Sequence, residues 1–243
     1  NYLAGWQSGN STGFYSLIDT AGNLLGTHSV VGALANDGTP VSVAANGTSL
    51  AVAWTAASPA VISLSILNLA GGVSGTIAIN APQDGGPVLY AVAGTPGGYV
   101  VLWSHNNATY ATYVPALNAQ PGPPQTFVAD ANHTPNSAKG ATDGVGAAFA
   151  IQYTSGVSFG YLNGSIKNPF ELGGIGPGGT LQAIAGGTGG RLGVFYTQGT
   201  NTYGTQVGYP SVAGAVCSAD SNCASGKCKA MGATGPKAYS LCQ

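Results

Sequence analysis

Three aspartates recur at nearly even intervals: Asp37 in NDGTP, Asp84 in QDGGP and Asp130 in ADANH, 47 and 46 residues apart. Carboxylates brought together from equivalent places in a repeat could bind a cation, grip sugar hydroxyls, or divide acid and base roles in glycoside hydrolysis, with the single Glu171 as a fourth member. Each also has a plain structural use. Asp before Gly or Ala forms turns, because the carboxylate caps its own turn and Gly supplies positive φ. A second set of groups suits recognition rather than reaction: the amides and imidazole of Gln7–Asn10, His105–Asn107 and Gln198–Asn201, of which Asn10, His105, Asn107 and Asn201 are the candidate ligand-binding residues. Together with Asp37, Asp84 and Asp130 they form the expected ligand site. No catalytic residue, metal ligand or cofactor is assigned.

The four cysteines, Cys217, Cys223, Cys228 and Cys242, all lie in the last 27 residues. An even count in a short segment with little strand or helix pattern favours two disulfides over zinc, since no His lies near and there is no close CxxC pair. Connectivity stays open among the three possibilities. The expected compartment is oxidising.

Other matches to reactive motifs carry little. GNSTG and GVSFG fit a nucleophile elbow but lie between strands, and GIGPGG has no helix behind it. With 40 glycines, such matches arise by chance. His28, His105 and His133 have no metal-ligand spacing. Five sequons, at Asn10, Asn46, Asn107, Asn132 and Asn163, mark positions expected at the surface.

The elements that must position these groups form a repeat. An aromatic ends each strongly apolar stretch: LAGW at Trp6, LAVAW at Trp54, VVLW at Trp103, FAIQY at Tyr153 and LGVFY at Tyr196, in steps of 48, 49, 50 and 43 residues. Ahead of the last four come short strands with a Gly turn, at 40–47, 87–94, 137–144 and 181–187. After each comes an alternating strand, at 12–19, 60–67, 108–115, 157–164 and 201–208, and a weaker fourth strand near 26–33, 75–80, 125–129 and 170–174. Four short antiparallel strands per 40 to 50 residues predict an all-β fold, a β-propeller of five four-stranded blades over 1–216, followed by a Cys-rich tail over 217–243. A β-solenoid is the rival architecture. The aromatics are expected to pack between blades rather than to stack on sugars. Residues 210–216 resemble an inner strand and are expected to pair beside Leu3–Trp6, closing the ring.

The stretch NYLAGWQSGNSTGFYSLIDTAGNLLG, with GTPVSVAANGTSLAVAW after it, resembles the secreted β-propeller repeats of bacterial, myxobacterial-type surface and exported proteins. The likeness spans 1–209, is strongest over 1–56 and thins where Trp gives way to Tyr153 and Tyr196. The tail CSADSNCASGKC resembles short Cys-rich modules of similar exported proteins. That resemblance implies a fold and a secreted or cell-surface location, and no one reaction.

Charge narrows the partners. Only six residues are Lys or Arg and seven Asp or Glu, 5 % of the chain, against about a quarter in ordinary soluble proteins. Residues 1–216 carry a net of −3 and the tail +2, too little basic charge for nucleic acid. No apolar run is long enough for a helical membrane span. Composition and resemblance lead to an extracellular binding or adhesion module for a glycan or other surface polymer. The alternatives are a structural subunit that packs against its neighbours, and a propeller glycosidase.

Overall fold

The computed structural model describes the chain apart from residues 1, 9–11, 31–33, 35–39, 58–59, 80–85, 107, 117–119, 129–134, 143, 145, 155, 164–165, 172–178, 188–190, 209–215, 218–226, 232–238 and 243. The described residues form strands and turns without helix. Gly, Pro and β-branched content works against helix throughout, and period-two alternation favours sheet. Two compact units divide the chain, Asn1–Ala129 and Asp130–Gln243.

The first unit holds three antiparallel meanders. β1 (Tyr2–Ser8), β2 (Thr12–Ile18) and β3 (Leu24–Ser29) make a three-stranded sheet. Four strands each follow in β4 (Ser42–Ala45), β5 (Leu50–Ala57), β6 (Ala60–Leu67), β7 (Val73–Ile79) and in β8 (Val88–Thr95), β9 (Gly98–His105), β10 (Ala108–Pro115), β11 (Gln125–Val128). The expected strands are thus present, in the expected order. Identical turn chemistry confirms the repeat locally. Asp19 Oδ1 accepts the amides of Ala21 and Asn23, Asn68 Oδ1 accepts those of Ala70 and Gly72, and Gly22 and Gly71 hold φ of +87° and +88°. Hydrogen bonding from Asn23 lowers the Asp19 carboxyl below its usual range.

The sheets of this unit stack face to face, and β5 supplies both interfaces. Leu50, Val52 and Trp54 meet Tyr15 and Leu17 on one side; Ala51 and Ala53 join Leu89, Val92, Tyr99 and Trp103 on the other. That alternation is the two-residue period of a strand buried on both faces. Neutral hydrogen bonds join the sheets. Ser42 Oγ accepts Val92 N–H at 2.9 Å, Ser49 Oγ meets Tyr99 Oη at 2.7 Å, and Tyr15 Oη donates to the Gly71 carbonyl at 3.3 Å. Gly94 allows β8 to approach β4, since a Cβ there would lie 2.0 Å from the Ala45 carbonyl oxygen. Asn46, a sequon position, spends its carbonyl oxygen on the amides and hydroxyls of Thr48 and Ser49, and its Nδ2 is buried.

The second unit holds β12 (Ser137–Thr142), β13 (Ala147–Tyr153), β14 (Gly156–Asn163) and β15 (Ile166–Glu171) in one sheet, and β16 (Gly179–Gly186), β17 (Arg191–Gln198) and β18 (Asn201–Gly208) in another. Ala148, Ala150, Val157, Leu181, Leu192 and Val194 form the core between them. The Gln152 side chain bridges the sheets, donating to the Gly179 carbonyl and accepting the Leu181 amide.

Three short strands that the sequence pattern does not announce lie at the start of the tail and within it. β19 (Val216–Cys217), β20 (Cys228–Met231) and β21 (Tyr239–Cys242) form a small sheet in the order β19-β21-β20, with Cys228 and Cys242 register partners. Val216, the last residue of the expected closing strand, pairs with Leu241. Residues 210–215, the remainder of that strand, lie outside the described residues.

Candidate functional site

Asp37, Asp84, Asp130, Asn10, Asn107 and Cys223 lie outside the described residues. Cys217, Cys228 and Cys242 are placed as strand positions only. Glu171 ends β15, opposite Ser158. His105 departs from expectation. It is the last residue of β9, opposite Ala108, and only 4 % exposed, so it offers no imidazole to solvent. The β9–β10 register runs to the residue before the turn, so His105 is a ladder residue rather than a loop residue. Asn201 opens β18 opposite Gln198, exposed, at a tight hairpin in which Gly199 takes φ of +60°.

Beneath three of these hairpins the register sets aromatics face to face. Trp6 opposes Phe14 with centroids 5.8 Å apart, Trp103 opposes Tyr110 at 4.7 Å, and Tyr196 opposes Tyr203 at 5.4 Å, all stacked at interplanar angles of 20° to 27°. Directly opposed aromatics stabilise a ladder beyond their buried area. The three pairs differ in what they show to solvent. Trp103 is fully buried and its indole N–H donates to Thr112 Oγ1 at 3.0 Å, so it is core. Trp54 is likewise buried between sheets, as expected, and Tyr153 is buried. Trp6 stays 38 % exposed and Tyr203 39 % exposed, with Phe14 and Tyr196 half-buried beside them.

The best-defined surface is in the second unit. Tyr196 and Tyr203 stack below a rim of exposed polar residues, Gln198, Thr200 and Asn201, and Tyr196 also packs against the core of the unit. Burial first, and the neighbouring Tyr203 second, push the Tyr196 phenol above its ordinary value. It remains a neutral hydroxyl, able to donate and accept, at any physiological pH. Such a surface combines an apolar ring face with amide and hydroxyl groups and no ionic partner. The sequence reading passes over Phe14, Tyr110 and Tyr203. Their signal was present, as an aromatic seven or eight residues after Trp6, Trp103 and Tyr196. Among the described residues no three His, Cys, Asp or Glu side chains gather as a metal site.

No family model matches the chain, and no curated protein matches it. Solved structures of similar shape include the β-propeller domain of the Trilobed protease from Pyrococcus furiosus, at 7 % identity and TM-score 0.46, covering 88 % of this chain and 82 % of that one. A prolyl endopeptidase is similar at 12 % identity and TM-score 0.48, and a 6-phosphogluconolactonase candidate from Bacteroides uniformis at 14 % and 0.45. This chain covers 89 % of its own length but spans 33 % of the endopeptidase, and 81 % but 64 % of the lactonase candidate. The likeness concerns fold alone.

Proposed function

We propose that the five sheets over 1–208 are blades of a β-propeller and that the chain is an extracellular, non-catalytic module binding an uncharged glycan or similar surface polymer. The observation that carries this reading is the Tyr196–Tyr203 stack under the Gln198–Asn201 hairpin. The C–H face of a sugar ring packs on an aromatic, while its hydroxyls pair with amides and hydroxyls at the edge. The scarcity of charge across the chain fits a neutral partner. The Cys-rich tail is read as disulfide-stapled, in keeping with an oxidising exterior.

A glycan array followed by titration calorimetry tests this. Saturable binding to a neutral polysaccharide is expected, weakened about tenfold by Tyr203→Ala and by Asn201→Ala. A blank array, or affinity untouched by both changes, would sink the proposal. The exposed Tyr2, Leu24 and Leu25 favour the second reading, a subunit that packs against protein neighbours. Light scattering separates the two: a persistent monomer counts against assembly. The glycosidase reading rests on Asp37, Asp84 and Asp130, and no described geometry supports it.

A further inference from the structure

Among the described residues, Tyr196–Tyr203 is the one stack that sets two phenols face to face. Trp6 faces Phe14, which has no hydroxyl, and Trp103 faces Tyr110 with its indole N–H already given to Thr112. The register holds the two phenols together. β17 and β18 pair residue by residue from Arg191 opposite Gly208 to Gln198 opposite Asn201, and the two-residue turn Gly199-Thr200 leaves no slack for a slip. Directly opposed residues of an antiparallel pair have Cβ atoms about 5 Å apart. The rings follow, with centroids at 5.4 Å and planes inclined by 20°. Burial first, and Tyr203 second, raise the Tyr196 phenol, so the pair also interacts through charge.

Two phenols held this way share a reaction that neither has alone. A one-electron oxidant takes an electron and a proton from each, leaving two phenoxyl radicals whose unpaired spin lies partly on the carbons ortho to oxygen. Those carbons join. One C–C bond forms, and each ring passes its ortho hydrogen to its own oxygen as it regains aromaticity. With hydrogen peroxide as terminal oxidant and a haem peroxidase to divide its two electrons, the two hydrogens removed leave in two molecules of water. The surroundings keep the radicals in place. Tyr196 packs with Leu192 and Val194 and lies opposite Leu181, and an aliphatic side chain cannot take the radical over. The sulfur atoms that compete for oxidants, those of Met231 and the four cysteines, are confined to the tail, and all three tryptophans belong to the first unit.

We infer that Tyr196 and Tyr203 are a site of oxidative coupling, joined as an intramolecular dityrosine when the chain meets peroxide and a haem peroxidase. The link is a covalent staple across β17–β18, in a region, 1–216, that contains no cysteine. Like a disulfide, it restrains the unfolded chain as well as the folded one. It rests on the geometry of the stack, and no sugar need bind for it to form.

The test treats the whole chain with hydrogen peroxide and a haem peroxidase, separates monomer from dimer on a denaturing gel, and digests the reduced and alkylated monomer with trypsin. Blue dityrosine fluorescence should appear in the monomer band. The tryptic peptide 192–227 holds Tyr196, Tyr203 and Tyr209, and it should lose the mass of two hydrogens, with fragmentation placing the loss on the first two. Tyr196→Phe and Tyr203→Phe each keep a ring in the stack but remove one phenol, and each should abolish both signals. Tyr209→Phe should leave them intact, and circular dichroism checks that every variant keeps its sheet. Fluorescence that survives Tyr203→Phe, or that appears only in dimers, overturns the coupling site, and so does oxidation that consumes peroxide without forming dityrosine. None of these results bears on the glycan reading, which the array tests separately.

Discussion

Replacing Gly94 by Ala tests how the first unit is built. The new Cβ would fall 2.0 Å from the Ala45 carbonyl oxygen, 2.7 Å from its carbon and 3.0 Å from Asn46 Cα, all backbone atoms of the neighbouring sheet. No rotamer relieves a clash between backbones, so β4 and β8 must part by roughly 1 Å, in an interior packed as tightly as a crystal. Overpacking costs about 1 to 3 kcal/mol. The Ser49–Tyr99 hydrogen bond, 2.7 Å long and one residue beyond the turn, would stretch with it and lose about 1 kcal/mol. Against this, Ala lowers the entropy of the unfolded chain and returns about 0.5 to 1 kcal/mol. The net expectation is a loss of about 1 to 3.5 kcal/mol. Urea unfolding followed by tryptophan fluorescence reads it, because Trp6, Trp54 and Trp103 all lie in this unit. Gly86→Ala is the control, with nothing within 4 Å of its Cβ. In the same experiment Tyr99→Phe should cost about 1 kcal/mol in the native background and almost nothing beside Gly94→Ala. If Gly94→Ala and Gly86→Ala unfold at the same urea concentration, the close approach of β4 and β8 is wrong.

Other expectations address other joints. Gln152→Ala removes the only side chain seen bridging β13 to the β16 backbone among the described residues and strands a buried amide and carbonyl; a loss of about 2 kcal/mol in the second unit is expected by hydrogen exchange at Leu181. Thr112→Val keeps the shape but leaves the buried Trp103 indole N–H unpaired, for about 1 to 3 kcal/mol in urea unfolding. Burial raises the Tyr99 phenol above 10.0, opposed in part by its bond to Ser49. Stability from this group is therefore complete below pH 10.0 and declines as pH climbs above it, because the unfolded phenol ionises first. Alkaline denaturation of Tyr99→Phe should begin at higher pH than that of the native chain.

The strand order was legible because it depends on short-range pattern. The alternation in AVISLSIL and ATYATYVP specifies β6 and β10 almost to the residue. The buried Trp54 and Trp103 followed from the same logic, since a run apolar at every position must be covered on both faces. What escaped depends on register, which the sequence does not display. Tyr90 and Gln182 look like ordinary alternating positions, yet one extra residue in each strand turns them to the face that simple counting denies them. His105 reads as a loop residue until its pairing with Ala108 is known. Trp6 and Trp54 share a motif and differ in exposure, because burial is set by the neighbouring sheet and not by the strand itself.

The joints between sheets in each unit are made by serine, threonine, tyrosine, glutamine and backbone groups, with no ion pair among those described here. Dissolved ions weaken attraction between charges, but they have little to act on in a neutral hydroxyl bonded to an amide. Acid likewise finds few carboxylates whose protonation would undo a contact. These joints should therefore keep their strength as salt or mild acid varies. A contact with almost no charge in it has little that a change of surroundings can take away.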